Sequence, residues 1–157
     1  MAISKVREYF KKAGIEDRVM EFHESSATVE LAAEALNTEP QRIAKTMSFL
    51  VNDNPILIVM AGDVKVDNKK YKAYFSAKAK MIAFDDVERL IGHAVGGVCP
   101  FAINDGVVVY LDESLKRFDT VFPACGSGNS AIELTIEELE KYSNYEAWID
   151  VTKLIEE

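Results

Sequence analysis

The stretch TMSFLVNDNPILIVMA, residues 46–61, decides the fold prediction because two apolar runs in it flank a short polar turn. Residues 46–51 and 56–61 have the lengths of strands and are bounded by turn-forming residues. The four residues between them, NDNP, belong to the types that tolerate the backbone angles of tight turns. This pattern predicts a β-hairpin, and therefore two neighbouring strands of a sheet.

Helical periodicity and end signals predict helices on both sides of this hairpin. Thr28 is a suitable N-cap, Gly14 and Gly92 are suitable stops, and TIEELEKY at residues 135–142 opens with a capping pattern. The predicted helices span residues 3–13, 28–36, 40–43, 66–75, 84–90 and 135–142.

Further strands are predicted at residues 107–111, 120–124 and 131–134. Because the turns are short, several strand pairs are expected to be antiparallel. We predict a mixed α/β fold in which a mixed β-sheet curls into a partial barrel surrounded by helices. No repeat, low-complexity tract or linker divides the chain, so we expect one domain over residues 1–157.

Composition excludes several classes of protein. The 157 residues carry a net charge of −8, which argues against a protein that coats nucleic acid non-specifically. Two cysteines and two histidines offer no zinc-ligand spacing, so we expect no metal and no cofactor. The sequence contains no apolar run of about 18 residues, the length that a membrane span needs. A cytoplasmic protein with no membrane partner is expected.

Lysines are concentrated in one stretch of this acidic chain. Residues 65–80 contain six lysines and a single acid, Asp67. Such a stretch is either a solvated helix face or a local patch that binds an anion. The residues that we predict to contact nucleic acid there are Lys65, Lys69, Lys70 and Lys72.

Two further features are candidates for chemistry. Lys45 stands in an apolar context, where a lysine either reaches solvent or serves as a partly buried ammonium. The adjacent glycines Gly96 and Gly97 allow close approach to the backbone, whose amides are able to hold a carbonyl oxygen. Cys99 and His93 lie six residues apart, which leaves a thiol enzyme as an alternative.

Four separated motifs resemble those of the YbaK/EbsC family. In chain order they are QRIAKT at residues 41–46, IVMAGD at 58–63, DVERLIG at 86–92 and GGVCPF at 96–101. The resemblance extends roughly from Phe22 to Tyr142, and four motifs in the right order are far more specific than any one of them. The family includes the editing domain inserted in some bacterial prolyl-tRNA synthetases and its free-standing relatives.

The resemblance implies a barrel-like mixed α/β fold and hydrolysis of the ester that joins an amino acid to the 3′-terminal adenosine of tRNA. It implies that Lys45 corresponds to the family's essential lysine. Its glycine-rich substrate loop falls on Gly96, Gly97, Val98, Cys99 and Pro100, and a second small-residue loop near the acyl pocket falls on Gly126, Ser127, Gly128 and Asn129. His23 and Thr28 lie in a less uniform N-terminal motif and are also expected at the substrate site.

Two residues depart from the family pattern. Cys99 stands where serine or alanine is common, and Ala102 stands where glycine is typical. Neither departure affects Lys45, so the implied activity is retained while the identity of the amino acid is left open.

The expected function is therefore a trans-editing hydrolase that deacylates mischarged tRNA carrying alanine, cysteine, serine or threonine, on tRNA(Pro) or a related tRNA. Lys45 would orient the terminal ribose or the acyl group, and the amides of residues 96–99 would stabilise the oxyanion. The expected partners are aminoacyl-tRNA and an aminoacyl-tRNA synthetase. The alternatives are a module that binds charged tRNA without hydrolysing it and a thiol enzyme using Cys99 and His93.

Overall fold

The computed structural model describes residues 2–155, which form five α-helices and ten β-strands with short 3₁₀ turns between them. The helices are α1 (Ala2–Lys12), α2 (Val29–Leu36), α3 (Asn68–Phe75), α4 (Phe84–Ile91) and α5 (Ile136–Ser143). The strands are β1 (Met20–Glu21), β2 (Ile43–Val51), β3 (Asn54–Ala61), β4 (Val64–Val66), β5 (Val108–Asp112), β6 (Thr120–Pro123), β7 (Ser130–Ala131), β8 (Leu134–Thr135), β9 (Ala147–Ile149) and β10 (Thr152–Leu154).

Six strands form the principal sheet in the order β8-β6-β2-β3-β5-β9. The β2–β3 and β6–β8 pairs are antiparallel, whereas β2–β6, β3–β5 and β5–β9 are parallel. The sheet curls into a half-barrel with the helices around it, which confirms the predicted fold class. Two short antiparallel pairs, β1–β7 and β4–β10, lie outside this sheet.

The predicted hairpin forms the centre of the sheet. Val51 pairs with Asn54 across a turn of two residues, Asn52 and Asp53, whose φ angles are 51° and 67°. Positive φ at both turn positions matches the right-handed twist of the strands, and Asn and Asp accept this conformation more readily than most residues. The turn is shorter than the predicted four residues because β3 already begins at Asn54. Residues 56–61 are buried throughout and supply much of the core.

Several predicted helix ends are confirmed by their capping contacts. The Thr28 hydroxyl accepts a hydrogen bond from the Leu31 amide at 3.2 Å, and Thr135 and Glu138 form a capping box at the start of α5. Gly92 ends α4 with a φ of 105°. Such caps are local, which explains why the sequence alone revealed them.

Three predicted elements differ most from the structure. The helix predicted at residues 40–43 is a 3₁₀ turn over Pro40–Arg42, and Ile43 already belongs to β2. The helix predicted at residues 66–75 begins only at Asn68, because Asp67 accepts hydrogen bonds from the Lys69 and Lys70 amides and Val66 belongs to β4. The strand predicted at residues 131–134 is divided between β7 and β8, which pair with different partners. None of the helices in residues 2–155 is long and apolar enough to cross a membrane.

Candidate active site at the open edge of strand β2

On the side of β2 opposite β3, strand pairing is interrupted. At its start, Ile43 and Ala44 pair with β6. At its far end, the Leu50 amide donates to the Lys80 carbonyl at 2.9 Å, and the Ile82 amide donates to the Ser48 carbonyl at 3.2 Å. Between these two pairings, no strand within residues 2–155 neighbours residues 45–47 on this side. The backbone of Thr46 faces the opening, since alternate residues of a strand direct their N–H and C=O groups to the same side.

A cavity of about 470 Å³ occupies this opening. Its wall includes residues 43–48 of β2, the segment 26–29 that leads into α2, residues 81, 82 and 84, and Gly96 and Val98 of the glycine loop. The volume lies within the range typical of small-molecule sites, roughly 300–1,000 Å³. Most of the wall is apolar, so each polar group on it has a large influence on what binds.

Among the described residues that line this cavity, Lys45 has the only charged side chain. Its ammonium donates a hydrogen bond to the carbonyl of Val64, the first residue of β4. Burial lowers the pKa of Lys45 from its ordinary value, although the carboxylates of Asp63 and Glu30 oppose this shift. An ammonium has three donors, so two remain for a ligand.

The turn at residues 62–63, which joins β3 to β4 just before Val64, is held by an ion pair. The Arg117 guanidinium contacts the Asp63 carboxylate at 2.6 and 3.0 Å. This contact lowers the pKa of Asp63, so its negative charge is maintained beside the lysine. Gly62 is required in the same turn, because a Cβ there would lie 2.0 Å from the Pro40 carbonyl oxygen.

The two small-residue loops proposed from the sequence meet in the structure at Gly97. A Cβ on this residue would lie 2.6 Å from the Ser127 amide nitrogen and 2.7 Å from the Gly126 carbonyl carbon. Only glycine allows the two backbones to approach so closely. Gly96 and Val98, on either side of Gly97, reach the cavity. Gly97 itself does not line it, and its amide already donates to the Ala94 carbonyl at 3.0 Å.

The second loop supports the cavity from behind. Asn129 exchanges hydrogen bonds with Phe22: its carbonyl accepts from the Phe22 amide at 2.8 Å, and its side-chain Nδ2 donates to the Phe22 carbonyl at 2.9 Å. The Gly128 carbonyl accepts from the Ser26 amide at 2.7 Å. These bonds fix the segment that brings residues 26–28 to the cavity. Ser127 is half-buried and binds within its own loop, through its hydroxyl, to Asn129 and Ser130.

The N-terminal motif has one member on the cavity and one outside it. Thr28 lines the cavity, while its oxygen caps α2. A hydroxyl that accepts one hydrogen bond still has a proton to donate. His23 is exposed and does not line the cavity.

Cys99 and Pro100 are buried behind the cavity wall and do not line it. The Cys99 sulfur lies 3.5 Å from His93 Nε2, but that nitrogen also lies 2.7 Å from the Phe101 carbonyl. Because a carbonyl only accepts, Nε2 carries the hydrogen and has no lone pair to take the thiol proton. Burial also raises the pKa of Cys99 to about 12. The geometry therefore argues against the thiol enzyme.

The lysines expected to contact nucleic acid lie on β4 and α3. Lys65, Lys69 and Lys72 are exposed. Lys70 is held by the protein itself, since its ammonium contacts the Asp150 carboxylate at 3.0 Å and the Thr152 carbonyl at 2.9 Å. Three of the four therefore present unengaged ammonium groups to solvent within residues 2–155.

Sequence reasoning missed two hydroxyl residues on the cavity wall. Within residues 2–155, the side-chain oxygens of Ser26 and Thr46 are buried and have no hydrogen-bond partner. A buried hydroxyl without a partner costs about 1–3 kcal/mol, which a bound polar ligand would offset. Thr46 directly follows Lys45, so its position in the lysine motif was the one available signal.

The described residues thus form an α/β half-barrel with a mostly apolar cavity, on whose wall the Lys45 ammonium is the one charged group. Comparison with known proteins makes this more specific. Residues 23–142 match the model of the aminoacyl-tRNA editing domain family. The chain belongs to this family, and the resemblance to YbaK-type proteins is confirmed. Within the described residues, no group of three or more His, Cys, Asp or Glu side chains is arranged to hold a metal ion.

Individual relatives agree with this assignment. The chain is 53% identical to the uncharacterized protein YwhH of Bacillus subtilis (strain 168), with 98% of both chains covered. It is 25% identical to a proline–tRNA ligase of Lactiplantibacillus plantarum, covering 79% of this chain but only 22% of the ligase. A crystal structure described as a candidate trans-editing enzyme for prolyl tRNA synthetase matches with a TM-score of 0.86 and 25% identity over 97% of both chains.

Proposed function

We propose that this protein hydrolyses the ester bond of mischarged aminoacyl-tRNA and acts in trans. The observation that carries the proposal is the position of Lys45, the one charged group on the cavity wall as formed by residues 2–155. Membership of the editing-domain family supports the same class of reaction.

Lys45 would bind the substrate through the two donors that the Val64 carbonyl does not use. In a largely apolar cavity, an ammonium interacts more strongly with a ribose or acyl oxygen than it would in water. Its attachment to Val64 fixes the nitrogen before the substrate arrives, so little reorganisation is needed during the reaction.

The glycine loop would stabilise the negative charge that develops on the carbonyl oxygen. The Gly97 amide already donates to the Ala94 carbonyl. We therefore assign this role to the amides of Gly96 and Val98, because both residues line the cavity. No acceptor for either amide is found within residues 2–155. Loss of one such donor costs about 10²–10³ in rate in other hydrolases.

The attacking group would come from outside the protein chain. Cys99 is buried with a raised pKa, and the hydroxyls of Ser26 and Thr46 have no partner that could take a proton. An aminoacyl ester is already activated, so a water, or the hydroxyl or thiol of the substrate itself, suffices once it is positioned.

The substrates that we propose are esters of alanine, cysteine, serine and threonine on tRNA(Pro) or a related tRNA. The relatives named proline–tRNA ligase support the choice of tRNA. A synthetase is a candidate partner, the cytoplasm is the expected compartment, and Lys65, Lys69 and Lys72 would contact the tRNA backbone.

The test is deacylation of tRNA charged with each of these four amino acids, measured with wild type and Lys45→Ala. We expect the wild type to cleave at least one ester. The variant should cleave the same ester about 10²–10³-fold more slowly, as other hydrolases do when a transition-state hydrogen-bond donor is removed. Lys11→Ala, at an exposed lysine near the end of α1, is the matched control.

Circular dichroism and thermal melting would show whether Lys45→Ala remains folded. Full activity of a folded Lys45→Ala protein would overturn the catalytic role. If the wild type binds the charged tRNAs and protects their esters, the protein is a binding module and Lys45 is a contact residue only.

A further inference from the structure

Three exposed apolar side chains lie together on the cavity wall. Met81, Phe84 and Val95 are 55%, 73% and 49% exposed, and all three line the cavity. The other large apolar residues that are exposed within residues 2–155, Leu31, Tyr74, Leu154 and Ile155, do not line it. Single exposed apolar residues are common on protein surfaces, but a group of them around one opening indicates a binding surface.

The backbone that carries Phe84 is fixed before any ligand binds. Residues 80–82 are hydrogen-bonded along the edge of β2, and Phe84 is the first residue of α4. The buried side chains of Ile82 and Val87 anchor the segment on both sides of Phe84. The phenyl ring is thus an exposed flat surface on a rigid support, which loses little conformational entropy when a ligand stacks on it.

The charges around this ring favour an anionic ligand on one side. Lys78 and Lys80 precede Met81 and are both exposed, and Lys45 carries the one charge that the described part of the chain places on the cavity wall. On the other side, Asp86 is paired with Arg89 at 3.1 Å, while Asp85 is exposed. The phosphate backbone of a nucleic-acid strand would therefore approach along residues 78–80, and the last base of the strand would lie over Phe84.

We propose that Phe84 is a stacking platform for the 3′-terminal adenine of aminoacyl-tRNA, with Met81 and Val95 beside the base. The inference rests on the proposed function, because it places the ester in the cavity and the attached base at its mouth. Stacking on an aromatic ring accepts any base, so Phe84 would contribute affinity and would not read the sequence of the tRNA.

The first experiment measures binding of a stable substrate analogue, 3′-deoxy-3′-(L-alanylamino)adenosine, by calorimetry. An otherwise identical compound without the base is the second probe. We expect Phe84→Ala and Phe84→Leu to weaken binding of the adenosine compound by about 5- to 150-fold, the range found for loss of one stacked base. Phe84→Trp should bind at least as tightly as wild type, and the base-free compound should bind all four proteins equally.

The second experiment measures deacylation kinetics. With charged tRNA, Phe84→Ala should raise KM by a similar factor with kcat nearly unchanged, because the base takes no part in breaking the ester and its stacking is the same in the ground state and the transition state. Tyr74→Ala is the matched control, since Tyr74 is also an exposed aromatic residue but lies away from the cavity. It should leave both constants at their wild-type values.

Each contrary result has a distinct meaning. A wild type that cleaves charged tRNA while Phe84→Ala binds the adenosine compound normally overturns the platform and leaves the proposed function intact. A wild type that neither binds nor cleaves overturns both. If Phe84→Ala instead abolishes self-association in sedimentation and leaves analogue binding unchanged, the exposed apolar group is a protein interface and the platform is wrong.

Discussion

Replacement of Gly97 by alanine tests whether the contact between the two small-residue loops holds the cavity in shape. The added Cβ would meet three backbone atoms of residues 126 and 127 at 2.6–2.7 Å, whereas ordinary contacts begin near 3.4 Å. Backbone cannot rotate away as a flexible side chain does, so the loops would have to separate by roughly 0.7 Å or more. Gly97 has no positive φ, so the effect would be steric alone.

The size of the effect follows from these distances. Overpacking of a well-packed site costs about 1–3 kcal/mol, and three simultaneous backbone contacts place Gly97→Ala in the upper half of that range. For a domain of this size, about 2–3 kcal/mol lowers Tm by roughly 4–12 °C. The displaced Gly96 and Val98 would also lose their places on the cavity wall. A shift of about 1 Å in a positioning group costs about 10²-fold in rate.

The assay pairs thermal or urea unfolding with single-turnover deacylation. Gly128→Ala is the matched control in the facing loop, because a Cβ there would meet only the Ala27 methyl at 3.6 Å and its φ is not positive. We expect Gly128→Ala to stay within about 0.5 kcal/mol of wild type, as surface substitutions do. If Gly97→Ala matches Gly128→Ala in both stability and rate, the two loops do not depend on that contact and this reasoning is refuted.

Two further predictions concern Ala102 and the lysines of α3. Ala102 has a φ of 52°, a conformation that glycine adopts without strain, so Ala102→Gly should stabilise the protein by about 0.5–1 kcal/mol in urea unfolding, and a loss of stability would contradict this. Reversing the charges of both Lys69 and Lys72 should weaken tRNA binding. It should also reduce the slope of log binding constant against log salt concentration by about one to two. Reversing the charges of Lys11 and Lys12 should change neither quantity. Equal salt slopes for both double variants would make the α3 lysines a solvated helix face.

The sequence predicted the elements whose determinants are local. The β2–β3 hairpin follows from two apolar runs and a turn of suitable residues, and the starts of α2 and α5 follow from Thr28 and Thr135. Among the strands that were missed, β4 and β10 have three residues each and pair across more than 80 positions of the chain. A strand of three residues carries too little periodicity to be recognised, because its stability comes from a distant partner.

The candidate site divides in the same way. Lys45, Thr28, Gly96 and Val98 were selected from the sequence and do line one cavity. Cys99, Pro100 and the loop of residues 126–129 were selected too, but they lie behind the wall or outside it. A motif identifies the segment of the chain that contributes to a site. It does not say which side chains of that segment face the ligand, since that depends on how two distant loops pack at Gly97.

The sequence by itself determined the mixed α/β class, the central hairpin, the family motifs and the lysine at their centre, because each depends on residues close together in the chain. Only the tertiary structure decided that β2 has an open edge, that Val64 holds Lys45 and that Phe84 is exposed. Phe84 shows the reason most plainly. It stands three and seven residues before Val87 and Ile91, a spacing typical of one buried helix face, yet only those two residues are buried. Burial of the first residue of a helix depends on what packs beside it, and beside Phe84 the structure leaves a cavity.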